Sequence, residues 1–201
     1  MLTLTSSVYG SIVCGRVLKT KPGSGSAFDK LTIVTITDVS TNGAPLGESI
    51  KILFWNSEKG SKLSDKARKL IPGELISARV VFDVGLPDKA IGYELKKSGL
   101  YTLTLDSAEE SYVLHGKVSK VVTGKDYLGV YVPIMRFVDN QRVTLWYLAT
   151  FWNDTAKHFA NSLKKGDTVF IRGYAKAERT YNNWNYIELK ASYVKTIHDT
   201  I

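Results

Sequence analysis

Residues 149–153 are Ala149-Thr150-Phe151-Trp152-Asn153, and residues 52–56 are Ile52-Leu53-Phe54-Trp55-Asn56. Both stretches end in Phe-Trp-Asn, and both fit a β-strand. Side chains alternate along a strand, so Phe151 and Trp152 point to opposite sides. The shared ending indicates that the chain contains one structural unit twice.

The sequence around these two stretches repeats as well. Each half opens with an alternating strand that contains a glycine and then a basic residue, Gly15-Arg16 in the first half and Gly116-Lys117 in the second. A glycine inside a strand marks a bulge or a sharp bend, which a small barrel needs at its corners. A second strand, the Phe-Trp-Asn strand, a helix and two further strands follow in each half. The last strand of the first half is predicted to run from Lys89 to Leu105.

This order predicts an all-β fold class with two tandem OB-fold domains, each a five-stranded barrel with one short helix after its third strand. The second helix is indicated by the helical spacing of its apolar residues, Ala156, Phe159, Ala160 and Leu163. Leu63, Ala67 and Leu70 repeat this spacing in the first half. We place domain 1 at residues 1–106 and domain 2 at residues 107–201, with Asp106 to Glu110 as the linker.

The chain is basic, with 201 residues and a formal net charge of +8. Residues 1–106 contain 14 Lys and Arg against 10 Asp and Glu, and residues 107–201 contain 13 against 9. Because both halves share the excess, the charge favours two basic modules with a polyanionic partner over one domain with a charged tail. The simpler interpretation is a basic soluble protein without such a partner.

The cysteine content and the hydropathy pattern indicate a cytoplasmic protein. Cys14 is the only cysteine, so the chain forms no intramolecular disulfide, which fits a reducing compartment. No apolar run approaches the ~18 residues of a membrane span, and the N-terminus lacks the pattern of a signal peptide.

The sequence offers no recognisable catalytic or cofactor site. His115, His158 and His198 lack metal-site spacing, both with each other and with Cys14. The sequence has no nucleophile elbow, no phosphate-binding glycine loop and no carboxylate cluster typical of nucleases. We therefore expect a protein without enzymatic activity, metal or cofactor.

From Trp146 to Gly173 the second half resembles the bacterial single-stranded DNA-binding protein family. In that family an aromatic-bearing strand runs into a helix ending in Leu-Lys-Lys-Gly, which stands here at residues 163–166. A further strand and a long hairpin with an aromatic residue near its tip follow. The resemblance covers roughly Tyr112 to Ile197, whereas the first half matches only through its likeness to the second.

The resemblance implies that Trp146, Trp152 and Tyr181 stack on bases. It also implies a homodimer of chains with two barrels each. The acidic C-terminal tail of the family is missing, since the chain ends at residues 198–201 with His-Asp-Thr-Ile. This departure favours a specialised bacterial version, encoded by a plasmid, a phage or another mobile element.

The residues themselves point to the same surface. Proteins hold single strands by stacking aromatic side chains on bases and by neutralising phosphates with Lys and Arg. Trp146 and Trp152 share one face of their strand, while Tyr147, Ala149 and Phe151 lie on the face that suits the core. The hairpin adds further candidates, the aromatics Tyr181 and Trp184 with the cations Lys176 and Arg179. Weaker candidates are Arg172 and Lys117 on neighbouring strands, and Trp55 and Arg79 in the first half.

Structural roles for these aromatics are the alternative. Trp146 and Trp152 then pack against a helix or a subunit neighbour, and one of Tyr181, Trp184 and Tyr186 folds back into the core.

We therefore predict sequence-nonspecific binding of single-stranded DNA, in replication, recombination or mobile-element transfer, with no small-molecule substrate and no membrane partner. Two alternatives stay open. One is an RNA-binding OB protein, and the other is a protein-interaction barrel pair that has lost nucleic-acid binding.

Overall fold

The computed structural model describes residues 11–41, 44–57, 62–83, 86–103, 111–138, 140–181 and 183–197. The chain forms two compact units, Met1–Lys97 (unit 1) and Ser98–Ile201 (unit 2). This division lies earlier in the chain than the predicted domain boundary after Asp106. That boundary and the predicted linker from Asp106 to Glu110 lie outside the described residues. Within the described residues, no helix has the length and hydropathy to span a bilayer.

Unit 1 is a closed barrel whose strands follow the order β1-β2-β3-β5-β4. Strands β3 and β5 are parallel, and the other neighbours are antiparallel. This is the predicted OB order, which is confirmed for this unit. Its elements are β1 (Ser11–Pro22), β2 (Leu31–Thr41), β3 (Ala44–Trp55), α1 (Leu63–Arg68), β4 (Leu75–Asp83) and β5 (Leu86–Lys96).

Barrel closure depends on β1, which pairs with both β2 and β4. Its pairing with β2 shifts register between Cys14 and Arg16, so Gly15 lies at a bulge as predicted. A Cβ atom at Gly15 would stand 2.6 Å from the carbonyl oxygen of Thr37. Only glycine fits at this bulge, which turns the strand from one neighbour to the other.

Unit 2 is a seven-stranded sheet with the order β6-β7-β11-β12-β10-β9-β8. Its central order matches that of unit 1, with β10 and β12 as the parallel pair. The elements are β6 (Gly99–Leu103), β7 (Ser111–Lys117), β8 (Lys120–Thr123), β9 (Tyr127–Val138), β10 (Gln141–Trp152), α2 (Asn153–Phe159), β11 (Thr168–Tyr181) and β12 (Trp184–Ile197).

The sheet of unit 2 does not close because its first OB strand is broken in two. The first piece, β7, pairs with β11, and the second, β8, pairs with β9. At the break, the backbone N–H of Val118 donates to Asp167 O at 2.8 Å, and that of Ser119 donates to Tyr131 O at 2.8 Å. The chain thus switches neighbours between Val118 and Ser119. Unit 2 keeps the OB strand order as an open sheet.

The strand predicted from Lys89 to Leu105 is two strands. The first, β5, ends at Lys96 and belongs to the barrel of unit 1. The second, β6, starts at Gly99 and pairs with β7 in unit 2. Gly99 has a positive φ of 158°, within the extended range. The hydropathy of the segment showed that it is extended but not which sheet each part joins.

The core of unit 2 uses the predicted face of β10. Tyr147, Ala149 and Phe151 are all buried in it. The helix α2 is shorter than its apolar spacing predicted and ends at Phe159. Leu163 nevertheless reaches the core from the turn after the helix. The alternation along β10 therefore identified the inner face of the strand correctly.

Candidate nucleic-acid interface

The outer side of unit 2 carries aromatic residues on three adjacent strands. On β10, Trp152 lies opposite Tyr127 of β9, and Trp146 lies opposite Tyr186 of β12. Residues directly opposite each other in a sheet point to the same side. Together these strands form a surface that we call the aromatic face, which consists of Tyr127, Tyr131, Trp146, Trp152, Trp184 and Tyr186.

Tyr127 and Trp152 form one end of the aromatic face. Their ring centroids are 5.0 Å apart and their planes meet at 62°. A Cβ atom at Gly129 would stand 2.5 Å from the Tyr127 hydroxyl oxygen. The Tyr127 ring therefore lies along the outside of its own strand, and the missing side chain at Gly129 makes room for it.

Burial, with smaller contributions from the nearby Tyr131, Glu188 and Tyr186, raises the pKa of Tyr127 to about 12. The Tyr127 hydroxyl therefore stays neutral at physiological pH. About half of the neighbouring Trp152 side chain, 52%, is exposed. A base that stacks on the exposed part of Trp152 would therefore have the Tyr127 ring beside it.

Trp146 and Trp184 form the other end of the aromatic face. Their ring centroids are 6.1 Å apart and their planes are perpendicular, at 90°. Trp184 is 63% exposed, whereas Trp146 is half-buried. Between them opens a cleft of about 420 Å³, lined by Ser119, Lys120, Tyr131, Trp146, Trp184, Asn185 and Tyr186.

Lys120 and Arg179 stand on the side of the aromatic face, whereas Lys176 lies opposite the buried Leu189 and so points to the other side of the sheet. Lys120 Nζ lies 5.9 Å from the centre of the Tyr131 ring, and Lys176 Nζ lies 5.6 Å from that of Tyr112. Arg179 forms an ion pair with Glu188, with Nε 3.0 Å from Oε2. These cations are held close to aromatic or acidic groups, yet Lys120, Lys176 and Arg179 remain solvent-exposed.

The structure distributes the predicted site residues between the two units. Trp146, Trp152 and Trp184 come together on the aromatic face. Lys117 is exposed at the end of β7, and Arg172 is half-buried on β11. The backbone of Tyr181 lies opposite Trp184 at the end of the hairpin, but its side chain lies outside the described residues.

Trp55 and Arg79 belong to unit 1, where the corresponding face differs in character. Trp55 ends β3 and is 42% exposed. The strand neighbours Leu53 and Ile91 give this face an aliphatic surface. Arg79 lies 3.6 Å from Glu94 in an ion pair. Unit 1 thus presents two exposed aromatic residues on these strands, Trp55 and Tyr93, where unit 2 presents a row of aromatic rings.

Sequence reasoning did not select Tyr127, Tyr131, Lys120 or Asn185. The alternation in Tyr127-Leu128-Gly129-Val130-Tyr131 would have placed both tyrosines on one face, opposite the buried Leu128 and Val130. Only the pairing of β9 with β10 shows that this is the face of Trp152. Asn185 and Lys120 gave no signal because they belong to strands that are distant in the sequence, β12 and β8.

Solved structures of bacterial single-stranded DNA-binding proteins are similar to this chain. A small one from Streptomyces coelicolor is 13% identical, with 45% of this chain and 96% of its own covered and a TM-score of 0.35. One from Mycoplasma pneumoniae is 22% identical, with 45% and 94% covered and a TM-score of 0.31. A deletion mutant of the protein from Thermus aquaticus is 14% identical, with 96% of each chain covered and a TM-score of 0.31.

No protein-family model matches the sequence. No curated protein matches it either. The strand order and register of the two units, rather than these scores, define the OB topology described above.

Proposed function

We propose that the protein binds single-stranded DNA along the aromatic face of unit 2. The observation that carries this proposal is the continuous set of rings across β9, β10 and β12, with Trp152 and Trp184 each more than half exposed. Trp152 and Trp184 each contact one aromatic neighbour, but more than half of each tryptophan stays open to solvent. Unpaired bases are flat and apolar, and they stack on such rings at ~1–3 kcal/mol per base.

Phosphate contacts complete the proposal. Lys120 and Arg179 are exposed and lie on the side of the aromatic face, opposite Tyr131 and Tyr186. A strand whose bases stack on the sheet carries its phosphates along the edge of the stack, where these cations can neutralise them. Counterion release then makes the affinity fall as salt concentration rises. Stacking has no sequence requirement of its own, so binding extends to any unpaired strand.

Unit 1 has a lesser part in this proposal. It offers Trp55 as a stacking residue and cations held in ion pairs, such as Arg79 with Glu94. We propose that unit 1 extends the track of the bound strand or serves assembly. The homodimer, the cytoplasmic location and the process served, whether replication, recombination or mobile-element transfer, stay predictions. No catalytic role is proposed.

A fluorescence titration tests the proposal. The chain has four tryptophans, and all except Trp55 lie in unit 2. In the Trp55→Phe variant, the fluorescence of the remaining tryptophans therefore reports unit 2 alone. We expect a dT oligomer to quench this fluorescence at low salt and sodium chloride to reverse the quenching.

Two comparisons separate the alternatives. A matched uridine oligomer competes with dT for the variant protein, and stronger competition by RNA would reassign the ligand class. Absence of quenching by both oligomers at low salt would overturn nucleic-acid binding by this face and favour the protein-interaction alternative. A Trp152→Ala, Trp184→Ala double variant controls for quenching that arises away from the aromatic face.

A further inference from the structure

The two most exposed tryptophans of unit 2 stand at opposite ends of the aromatic face. Trp152 ends β10 beside Tyr127, and Trp184 begins β12 against Trp146. Trp146 and Trp152 are six residues apart on one strand, which at ~3.3 Å per residue separates their Cα atoms by roughly 20 Å. The face therefore has two places where a base can stack. We call them the Trp152 site and the cleft site, the latter between Trp146 and Trp184.

The middle of the aromatic face, between these two sites, is buried. Leu148 and Thr150 lie on the same side of β10 as its two tryptophans, and their side chains are only 4% and 1% exposed. The ring of Tyr127 lies over Gly129, the residue opposite Thr150. Leu148 and Thr150 therefore offer a base no open surface. A strand that occupies both sites must cross this part of the face with its backbone rather than with stacked bases.

Lys190 stands beside this buried part of the face. It lies opposite Thr150 in the register of β10 with β12, so its side chain leaves the sheet on the side of Trp146 and Trp152. Thr150 is four residues from Trp146 and two from Trp152, which places Lys190 between the two stacking sites. The side chain of Lys190 is exposed. Its ammonium group can therefore reach a backbone that crosses from one site to the other.

The charges around Lys190 leave it available to an anion. Glu188, two residues earlier on the same side of β12, is engaged by Arg179, with Arg179 Nε 3.0 Å from Glu188 Oε2. Among the described residues, no carboxylate forms an ion pair with Lys190. Lys120 lines the cleft itself and lies beside the ring of Tyr131. Lys120 thus serves the cleft site, whereas Lys190 faces the segment between the sites.

We propose that Lys190 binds a phosphate of the strand segment that bridges the Trp152 site and the cleft site. The inference rests on the proposed single-strand binding and adds to it the route of the strand, which runs along β12 between two separate stacking sites. A short oligomer can fill the cleft site without passing Lys190. Lys190 therefore contributes to the affinity for long oligomers and not for the shortest ones.

A series of dT oligomers of increasing length tests the inference, with the tryptophan fluorescence of the Trp55→Phe background as the signal. Dissociation constants are measured at several salt concentrations above about 0.1 M, where charges more than ~10 Å apart are largely screened. For long oligomers, we expect Lys190→Gln to weaken binding and to reduce the slope of log affinity against log salt by about 0.7, one phosphate contact of a single strand. For the shortest oligomer that still quenches, the same substitution should leave affinity and slope unchanged, which also shows that the variant is folded.

Lys176→Gln is the matched control. Lys176 lies on β11 opposite the buried Leu189, the residue before Lys190, so it leaves the same pair of strands on the other side of the sheet. Both lysines are exposed, and both substitutions remove one positive charge. We expect Lys176→Gln to keep the native salt slope with oligomers of every length. Lys190→Arg keeps the charge and should also retain the native slope.

The outcomes distinguish this inference from the proposed function. If no dT oligomer of any length binds, single-strand binding itself is wrong. If long oligomers bind Lys190→Gln with the native slope, or if Lys176→Gln reduces the slope equally, the strand binds but Lys190 holds no phosphate. If Lys190→Gln weakens the shortest oligomer as much as the longest, Lys190 belongs to a single stacking site and the bridging route is wrong.

Discussion

Arg179 and Glu188 form an ion pair across the β11–β12 hairpin, with Arg179 Nε 3.0 Å from Glu188 Oε2. Glu188 lies opposite Leu148 of β10, so it stands on the same side of the sheet as the aromatic face. A carboxylate in the middle of a surface proposed to bind a polyanion needs an explanation. The ion pair provides this explanation, because Glu188 engages the guanidinium group of Arg179 that a phosphate would otherwise contact.

Replacing Glu188 with Gln should therefore tighten binding to single-stranded DNA. The substitution removes one negative charge from the face and releases Arg179 to a phosphate. We expect a higher affinity and a plot of log affinity against log salt that is steeper by about one phosphate contact. Titrations of the native and Glu188→Gln proteins at several salt concentrations measure both effects.

Two controls accompany this experiment. Arg179→Ala in the Glu188→Gln background should return the salt slope to its native value. Glu94→Gln makes the matching change in unit 1, where Glu94 pairs with Arg79 and with Lys96 at 2.7 Å. A steeper slope in Glu94→Gln would show that unit 1 also contacts phosphates. An unchanged slope in Glu188→Gln would contradict phosphate binding by Arg179.

The three tryptophans of unit 2 should contribute unequally. Loss of Trp152 removes a half-exposed stacking surface, so Trp152→Ala should weaken DNA binding by ~1–3 kcal/mol. Trp146 and Trp184 contact each other edge to face, so the effects of their Ala substitutions should not be additive. Dissociation constants of the single and double variants measure this coupling. Additive losses would mean that the two rings act as separate sites.

Glycine at position 129 should be required for the position of Tyr127. Because a Cβ atom there would stand 2.5 Å from the tyrosine hydroxyl, Gly129→Ala should push the ring off the strand and expose it. The pKa of Tyr127, now about 12 through burial, should then fall towards its ordinary value of 10.0. An ultraviolet-absorbance pH titration follows this change, with Tyr127→Phe identifying the transition.

A functional loss should accompany the Gly129→Ala substitution. Displacement of Tyr127 breaks its contact with Trp152, so dT affinity should fall while the free energy of unfolding changes little.

The raised pKa of Tyr127 has a consequence for the stability of the protein as well. The neutral tyrosine is favoured in the folded state, so its contribution is fully present below pH 10 and is lost as pH rises towards 12. If the Tyr127 hydroxyl titrates near pH 12 in both the Gly129→Ala variant and the native protein, Gly129 does not determine the position of the Tyr127 ring.

His115 should make the stability of the protein depend on pH. Its side chain is fully buried, and neither ring nitrogen has a hydrogen-bond partner among the described residues. Burial lowers the pKa of His115 from 6.5 to about 4. Below pH 6.5 the unfolded chain takes up a proton that the folded chain excludes, so the free energy of unfolding falls by up to roughly 3 kcal/mol as pH drops towards 4.

The His115→Leu variant isolates this effect. It removes the titrating group and the unsatisfied nitrogens, so it should be at least as stable as the native protein at neutral pH. Its advantage should widen as pH falls from 6.5 to 4. Urea unfolding in the Trp55→Phe background, where the fluorescence reports unit 2, measures the difference. A difference that stays constant with pH would show that the pKa of His115 is the same in the folded and unfolded states.

The sequence by itself determined most of the elements of each unit and, for β10, which side of the strand is buried. The alternation around Phe151 and Trp152 assigned the inner and outer faces of β10, and the repeated Phe-Trp-Asn ending identified the two units. These inferences succeed because alternation and helical spacing are local properties of the chain. The same locality explains why the bulge at Gly15 was foreseen from the glycine itself.

Only the tertiary structure decided which strands lie side by side and in what register. Tyr127 meets Trp152, and Asn185 joins Lys120 at the cleft, because strands distant in the sequence pair residue by residue. The break after Val118 and the pairing of β6 with β7 likewise depend on long-range hydrogen bonds. The alternation along a strand shows which face a side chain occupies but not which residue lies beside it on the next strand. The pairing of β10 with β12 is what makes Trp152 and Trp184 parts of one surface.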